Sequence, residues 1–523
     1  MSAPAVPNLE PQSYDVIVVG SGHAGSCAAL SAHESGVPGS RILVIDKCPE
    51  EWVGGNGYFT AGAHRTVHKG LEDLLSIVQN VDKETAFTID MDPYTSEQFT
   101  EDIMRLGNNR SDPKLVKAVV DGSRDAVGWL VARVKMPFLL SFNRQAYLVN
   151  GRQKFWGGLV LSVQDGGKGV IRAHREALKG AGIETWFDTP AVELIYGNGG
   201  IEGVVVQRGE NLVRLTTPCV VLACGGYEAS TELRGRYLGE HWKRAKVRGT
   251  PYNTGDGLTL ATSIGAALRG DFNGCHSTCW DANAPSDHGD RVLSNQFTKS
   301  GYPLGLMVNA RGERFVDEGE DFRNYTYAKF GREILLQPGG FVFQLWDSHV
   351  VGWLRDEEYG DAVVKKIWAQ TPEELADKLA VEGLEDKHRL LRTLEEYNNA
   401  VQAFITENPS LRWDPAIMDG SSTQGSSKSL TIPKSNWALP VDQPPFLAVK
   451  VSCGITFTFG GLAIHPDTAA VLSESTVEPI PGLFCTGELV GGLFYSNYPG
   501  GSGLTAGAVF GIKAGQEAAK RRK

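Results

Sequence analysis

The chain has 523 residues and a formal net charge of −10 at pH 7. This length exceeds what one compact hydrophobic core supports, so we expect two domains or more. The negative charge argues against nucleic acids and anionic membranes as partners, but a locally basic pocket could still bind an anionic substrate. The 62 glycines indicate many close backbone approaches, as enzymes with large cofactors need.

The cysteines and the N-terminus predict the compartment. The eight cysteines are scattered, with no spacing typical of a metal site, so we expect buried free thiols in a reducing compartment. Residues 1–13 lack the charged start and apolar core of a secretory signal, and no apolar run is long enough to span a bilayer. These features predict a cytoplasmic protein without a transmembrane segment.

The segment from Tyr14 to Asp46 has the strongest pattern in the chain. The apolar run 15–19 is typical of a buried parallel strand, and a G-x-G-x-x-G motif follows at 20–25. An Ala/Ser-rich helix and a second strand over 42–45 complete the unit. In such units the glycines permit a tight turn, a close approach of pyrophosphate and close helix packing, while the terminal acid binds the ribose. The pattern predicts a dinucleotide site; an ordinary glycine-rich turn is the alternative.

A glycine-dense loop over 54–62 follows the second strand. Its backbone N–H groups could reach a flat ligand or a phosphate without obstruction from side chains. A flexible loop is the alternative, but the position beside the cofactor strand favours contact.

The middle of the chain alternates helical and strand patterns. Residues 71–150 are predicted to be mainly helical, with Asp112 before Pro113 as a helix start. Later elements are predicted in chain order as a helix at 170–179, strands at 184–187, 191–196, 203–207, 212–216 and 220–222, and a helix at 256–264.

A change of composition predicts the domain division. Aromatic, charged and turn residues dominate between about 275 and 454, with one long helical pattern over 372–407. The glycine-rich style then returns, and a last small-residue helix is predicted over 502–519. We therefore expect an α/β protein whose nucleotide-binding domain comprises 1–274 and 455–523, with a capping domain inserted at 275–454.

The order of the motifs identifies a family. The motifs are G-x-G-x-x-G at 20–25, GGN at 54–56, LACGG at 222–226, GDG at 255–257, RFVDE at 314–318 and TGE at 486–488. Together they resemble the FAD-binding group of fumarate reductase and succinate dehydrogenase flavoproteins, 3-ketosteroid dehydrogenases and tricarballylate dehydrogenase. The stretch 314–332 is most similar to the tricarballylate dehydrogenase branch.

The resemblance implies a Rossmann-like FAD-binding domain of the glutathione-reductase type with an α+β capping domain. It implies non-covalent FAD, because relatives with covalent flavin have a histidine in the loop that here contains GGNG. Glu488 would bind the ribityl chain, and residues 502–505 would present N–H groups to the flavin. The candidate cofactor-binding residues are Gly20, Ser21, Gly22, Ala24, Gly25, Asp46, Lys47, Gly54, Gly55, Asn56, Gly57, Ala61, Gly62, Val192, Ala223, Gly225, Gly226, Asp256, Gly257, Glu488, Ser502, Gly503, Leu504 and Thr505.

The same resemblance implies catalytic residues at Arg323, His276, Thr456 and Tyr498. Arg323 matches the arginine that shuttles a proton in fumarate reductases, but a bidentate carboxylate clamp remains an equal alternative. A proton shuttle would need nearby carboxylates, for which Glu318, Glu320 and Asp321 are the candidates. His276 matches the substrate-binding histidine after a shift of one residue.

Two departures from the family bear on the substrate. Fumarate reductases have a histidine in the segment matching Thr456 and an arginine where this chain has Tyr498, and both bind carboxylates. Tyr498 instead resembles the tyrosine of ketosteroid dehydrogenases. We therefore expect a less cationic pocket, to which Arg144, Arg152 or Lys154 could contribute.

These inferences predict an FAD-dependent dehydrogenase. It would transfer a hydride from a small, carboxylated substrate of the tricarballylate type to flavin N5 and form a double bond. The alternatives are oxidation of a hydroxyl group in a small sugar-like metabolite, as in a kojic-acid-type pathway, and reduction of an activated C=C bond. A flavin-binding electron carrier without turnover is the non-enzymatic alternative. The electron acceptor is left unidentified.

Overall fold

The computed structural model describes residues 12–285 and 287–521, without the side chains of 143 and 144. Most of the N-terminal segment used to predict the absence of a secretory signal lies outside these residues, so the cytoplasmic location stays a prediction. The strands are β1 (Val16–Val19), β2 (Ile42–Ile45), β3 (Ile89–Met91), β4 (Phe138–Leu140), β5 (Ala146–Val149), β6 (Arg152–Phe155), β7 (Leu161–Val163), β8 (Glu184–Trp186), β9 (Ala191–Gly197), β10 (Gly200–Arg208), β11 (Asn211–Thr216), β12 (Val220–Leu222), β13 (Lys246–Val247), β14 (Leu268–Asp281), β15 (Leu306–Asn309), β16 (Val342–Trp346), β17 (Ile367–Ala369), β18 (Phe446–Leu462), β19 (Ala470–Leu472) and β20 (Pro479–Cys485).

Helices cover these sheets and connect their strands. They are α1 (His23–Glu34), α2 (Leu71–Leu74), α3 (Lys83–Ala86), α4 (Ser96–Leu106), α5 (Pro113–Trp129), α6 (Phe142–Gln145), α7 (Gly166–Gly180), α8 (Thr231–Leu233), α9 (Asp256–Thr262), α10 (Arg323–Leu335), α11 (Asp356–Tyr359), α12 (Pro372–Val381), α13 (Lys387–Glu407) and α14 (Ser502–Ala519).

The nucleotide-binding sheet has the strand order β19-β20-β12-β1-β2-β8. It is parallel except for β19, which runs antiparallel to β20. The central strand β1 is apolar and fully buried, as parallel strands covered on both faces are. Helices α1 and α14 pack closely, since a Cβ at Gly515 would lie 2.3 Å from the Ala28 carbonyl oxygen. The predicted α/β fold with a Rossmann-like domain is confirmed.

A second large sheet has the order β13-β18-β16-β15, with β14 and β17 also paired to β18. Strands β14 and β18 are long and antiparallel, from Leu268 opposite Leu462 to Asp281 opposite Val451. The two boundaries predicted between the nucleotide-binding and capping domains, at 274 and 455, fall inside these continuous strands. The division stays a prediction.

Two predicted helical regions need correction. The region 71–150 contains α2 to α6 but also the short strands β3, β4 and β5. The long pattern over 372–407 forms two helices, because Gly383 adopts a left-handed φ of 108° and Asp386 caps the second helix through the Arg389 N–H. Asp112 does cap α5, by accepting from the Lys114 N–H.

The expected free thiols are present: all eight cysteines are free, and seven of them are buried. Among the helices of the described residues, none has both the length and the apolar character needed to cross a bilayer.

Candidate active site

A large cavity begins at the carboxyl ends of β1 and β2 and extends to β14, β18 and α10. Its wall includes Val19 and Asp46 at one end and His276, Arg323 and Thr456 at the other. The carboxyl ends of parallel strands are the usual binding edge of such a sheet. The first end is described below as the cradle and the second as the substrate end.

The cradle is built from backbone that leaves no room for side chains. Gly20 has a φ of 116°, and a Cβ there would lie 2.2 Å from the Ala223 carbonyl oxygen. A Cβ at Gly25 would lie 2.0 Å from the Gly20 carbonyl oxygen. The N-cap of α1 is Gly22, so the first N–H groups of this helix face the cavity without a covering side chain. This end fits the pyrophosphate of a dinucleotide.

Asp46 is held in place at the end of β2. Its Oδ2 accepts hydrogen bonds from the Ser21 N–H at 2.8 Å and the Ser21 hydroxyl at 2.6 Å. Its Oδ1 accepts from the Cys48 N–H at 3.0 Å. The adjacent Lys47 pairs with Asp256 at the N-terminus of α9. The carboxylate that the sequence assigned to the ribose is therefore fixed at the cavity wall.

Glu488, which lines the cavity, forms a carboxyl pair with the fully buried Glu228. Glu488 Oε1 accepts from the Thr458 N–H at 2.8 Å, and Glu228 Oε1 accepts from the amide nitrogens of Asn56 and Asn253, each at 2.6 Å. Burial and the charge of Glu228 raise the pKa of the Glu488 carboxyl well above its ordinary value. A protonated Glu488 can both donate and accept, which suits binding to a polyol chain.

The substrate end brings four distant residues together. Arg323 is the first residue of α10, and His276 and Thr456 lie on the paired strands β14 and β18. The ring centroid of Tyr498 lies 4.9 Å from that of His276. All four residues predicted as catalytic line this one cavity.

The phenols and the imidazole at this end are uncharged. Burial raises the pKa of Tyr498, and a hydrogen bond with the Tyr327 phenol raises it further. Burial also lowers the pKa of His276 well below its ordinary value, and the charge of Arg248 adds to the effect. At neutral pH, Tyr498 can donate a proton and His276 can accept one.

Comparison with known proteins agrees with this geometry. Residues 15–504 match the FAD binding domain family. The chain belongs to this family. It is 26% identical to the NADH:fumarate oxidoreductase of Klebsiella pneumoniae (strain 342) over 98% of this chain, although it spans only 48% of that relative. It is also 26% identical to the 4-oxocyclohex-2-ene-1-carboxylate 5-dehydrogenase of Sinomonas cyclohexanicum, covering 97% of this chain and 94% of that enzyme.

Solved structures show the same fold. The open conformation of a flavocytochrome c3 fumarate reductase superposes with a TM-score of 0.70 at 27% identity, covering 98% of this chain and 79% of that chain. The 3-ketosteroid delta1-dehydrogenase of Sterolibacterium denitrificans gives 0.71 at 20% identity, covering 97% and 100%. The predictions of FAD as the cofactor and, at the level of the family, of an FAD-dependent oxidoreductase are confirmed.

The predicted cofactor residues fall into two groups according to their position relative to the cavity. Those that line the cavity are Gly20, Gly22, Ala24, Asp46, Lys47, Gly54, Gly55, Asn56, Gly57, Ala61, Ala223, Gly225, Asp256, Glu488, Gly503 and Leu504. A second group supports the wall from behind: Ser21, Gly25, Gly62, Gly226, Gly257, Ser502 and Thr505. Gly226 shows why, since a Cβ there would lie 2.1 Å from Glu488 Oε1.

Val192 needs a correction. Its side chain is 45% exposed, whereas Ala191, the preceding residue of β9, lines the cavity. Successive side chains of a strand point to opposite faces, so a one-residue error in position sends the side chain to the wrong side.

The carboxylates expected to help Arg323 act as a base have other partners. They pair as Glu318 with Arg314, Glu320 with Lys329 and Asp321 with Arg105. A guanidinium loses its proton only with strong support, so this arrangement favours the carboxylate clamp.

The sequence missed two cavity-lining arginines. Arg248 follows β13 and donates to the Thr456 hydroxyl at 3.1 Å, while Arg355 pairs with Glu358 at 2.9 Å. Arg323 is therefore not the only arginine at the cavity wall, and the comparison of its charge with that of fumarate reductases stays a prediction. The position of Arg248 in the cavity follows from the pairing of β13 with β18. No local sequence motif predicts that pairing.

Two of the three cations suggested instead, Arg152 and Lys154, do not form this end. Arg152 pairs with Asp90 and Lys154 with Asp414, and neither side chain lines the cavity. The side chain of Arg144 lies outside the described residues.

Proposed function

We propose that this chain is an FAD-dependent dehydrogenase that forms a carbon–carbon double bond in a small carboxylated substrate of the tricarballylate type. The observation that supports it is the position of Arg323, His276 and Tyr498 in the same cavity as the FAD-binding cradle. When bound, FAD would supply a two-electron acceptor for a substrate C–H bond.

The side chains of the substrate end bind the substrate, orient it and exclude water. Arg323 binds a substrate carboxylate with its planar fork of donors and fixes the carbon chain in the cavity. Thr456 on β18 lines the same cavity, and its hydroxyl can help to orient a polar group of the substrate. The buried aromatic wall that includes Phe457 and Tyr498 excludes water, since their rings pack 5.4 Å apart.

The second hydrogen must leave the substrate as a proton. His276 is neutral, and its Nδ1 has no hydrogen-bond partner among the described residues, so we assign it as the group that accepts that proton. Tyr498 retains its proton and polarises the activating group by donating a hydrogen bond. Transfer of positive charge onto His276 is favoured by the substrate carboxylate that Arg323 binds in the same cavity.

Reduction of an activated C=C bond is the second candidate. The hydrogen-bonded Tyr498 and Tyr327 phenols favour it, since their raised pKa keeps both groups protonated at neutral pH and a proton is therefore present on each to be donated. A relative with 24% identity over 97% of this chain is the vinyl phenol reductase of Lactiplantibacillus plantarum (strain ATCC BAA-793 / NCIMB 8826 / WCFS1). The two candidates share one set of side chains and differ in the direction of electron flow.

An anaerobic titration of the FAD-loaded protein tests the proposal. Loss of the flavin visible absorption with tricarballylate or succinate, together with an unsaturated product, is expected. The Arg323→Gln variant should retain its flavin colour under the same addition. Loss of absorption only with polyols or sugars would support oxidation of a hydroxyl group instead, and reoxidation of reduced protein by unsaturated acids would support the reductase. A protein that binds no FAD would contradict all three. The cytoplasmic location remains a prediction.

A further inference from the structure

Arg248 supplies positive charge where the family resemblance indicated a gap. The expected histidine is replaced at Thr456, yet β13 runs parallel to β18 with Val247 opposite Ile455. This register places the next residue, Arg248, beside Thr456. The cation therefore reaches the same point of the cavity from a different strand.

The guanidinium of Arg248 is held in one orientation. It donates to the Thr456 hydroxyl at 3.1 Å and to the side-chain oxygen of Asn295. Thr298 donates to the same Asn295 oxygen at 3.1 Å, so Asn295 is itself fixed. Arg248 is 9% exposed and lines the cavity. Such a buried, oriented guanidinium has the geometry for binding a carboxylate.

The charge of Arg248 acts at the centre of the substrate end. Its charge adds to the fall that burial causes in the pKa of His276 and offsets part of the rise that burial causes in the pKa of Tyr327 and Tyr498, so its field reaches the groups at this end. Arg248 donates directly to the Thr456 hydroxyl at the substrate end, whereas Arg355 pairs with Glu358 at 2.9 Å. That glutamate is in turn fixed by the Ser300 hydroxyl at 2.6 Å. Arg248 is thus the stronger candidate for a second anionic group.

We propose that Arg248 binds a second carboxylate of the substrate, so that the site selects acids with two or more carboxylates over monocarboxylates. The proposal rests on the proposed function, in which Arg323 binds the first carboxylate. With both arginines engaged, the substrate chain spans the cavity between α10 and the end of β13, past His276 and Tyr498.

Binding to the reduced holoenzyme tests the proposal without turnover. Saturated acids can bind to protein whose FAD has been reduced with dithionite, but they cannot be oxidised there. Succinate and butyrate form a matched pair, since one carboxylate is replaced by a methyl group. Calorimetry should show succinate binding to the wild type about 10- to 100-fold more tightly than butyrate, the range expected for one charge-assisted contact.

The variants assign that preference to a residue. In Arg248→Gln the succinate affinity should fall to near that of butyrate, with butyrate affinity unchanged, and Arg248→Lys should retain part of the preference. Arg355→Gln should have a smaller effect, and the exposed Arg172→Gln on α7 should have none. Flavin content and melting temperature of each variant confirm folding.

Three results would overturn the inference. They are an unchanged preference for succinate in Arg248→Gln, an equal loss of both acids, and loss of FAD from that variant, which would make Arg248 a cofactor ligand. The proposed function fails in a different way. If the binding preference is present but no acid removes the oxidised flavin absorption, the reaction is wrong and the assignment of Arg248 stands.

Discussion

The two ends of the cavity are built by opposite means. The cradle consists of backbone from short contiguous motifs, and at Gly20 and Gly25 it has no space for one added carbon. The substrate end consists of side chains from separate parts of the chain, with Arg248, His276 and Arg323 on different elements. Binding at the cradle therefore depends on shape, whereas binding and reaction at the substrate end depend on charge and proton transfer.

This difference has a physical cause. A dinucleotide has a fixed pyrophosphate, which helix N–H groups bind at close range. A small substrate presents few atoms, so specificity depends on charged groups placed at the right separation. Changes of volume should therefore act at the cradle, and changes of charge at the substrate end.

The largest effect is expected from adding a side chain to the cradle. Gly25→Val would force its Cβ to within 2.0 Å of the Gly20 carbonyl oxygen, and backbone cannot yield as a flexible side chain can. We expect no FAD-bound protein and a loss of at least about 3 kcal/mol of unfolding free energy. Flavin content and thermal unfolding measure both effects. Gly199→Ala is the matched control, since a Cβ there meets no atom within 4 Å; normal FAD binding by Gly25→Val would refute the role of shape.

The contrast between contiguous and separate segments explains why the sequence predicts the cradle better than the substrate end. The strand, glycine motif and acid over 15–46 lie close together in sequence, so their local pattern already defines β1, α1, β2 and the cradle. The match of Asp112 and Pro113 to the start of α5 has the same origin. Local motifs predict local structure because the interactions that form it are local.

The substrate end could be predicted only through the resemblance to a family. His276, Arg323, Thr456 and Tyr498 lie in motifs of that family, and the structure brings them into one cavity. Arg248 lies in no such motif, and its place depends on the register between β13 and β18. The error at Val192 had a related cause, since the alternation of β9 decides which side chain faces the cavity.

A loss of charge at the substrate end should produce the next largest effect. Arg323→Gln removes the proposed carboxylate clamp, and we expect the rate of flavin reduction by substrate to fall about a thousandfold while FAD content stays normal. Stopped-flow absorption under anaerobic conditions measures the rate. Lys329→Gln on the same helix, which breaks only the pair with Glu320, should react normally. A rate within tenfold of the wild type would contradict the clamp.

The phenol pair gives a smaller effect and distinguishes proton transfer from packing. Tyr498→Phe retains the ring that packs against Phe457 but removes the donor, so we expect the reaction to slow about 100-fold. Tyr327→Phe leaves the Tyr498 donor in place and should slow it about tenfold. The pH profile of single-turnover rates should change in both variants. Equal, small effects without a change of profile would reduce Tyr498 to a packing role.

The smallest expected effect is on the pH dependence of stability, through the buried imidazoles of His23 and His64 beneath the cradle. Here a charge, and not only shape, should matter. Burial lowers the pKa of His64 to about 3, with a contribution from His23, whose own pKa falls to about 4. The unfolded chain binds protons near pH 6.5, so between that value and the folded pKa it binds more protons than the folded protein. Stability is therefore retained above pH 6.5 and lost as the pH falls, by on the order of 2 kcal/mol per histidine between pH 7 and 5.

His64→Asn, whose amide can replace the 3.0 Å contact to the Gly62 carbonyl oxygen, should flatten the decline in unfolding free energy. The control His388→Asn, at an exposed histidine, should leave the slope of unfolding free energy against pH unchanged. Equal slopes in the wild type and both variants would show that the imidazoles beneath the cradle do not cause the loss of stability in acid.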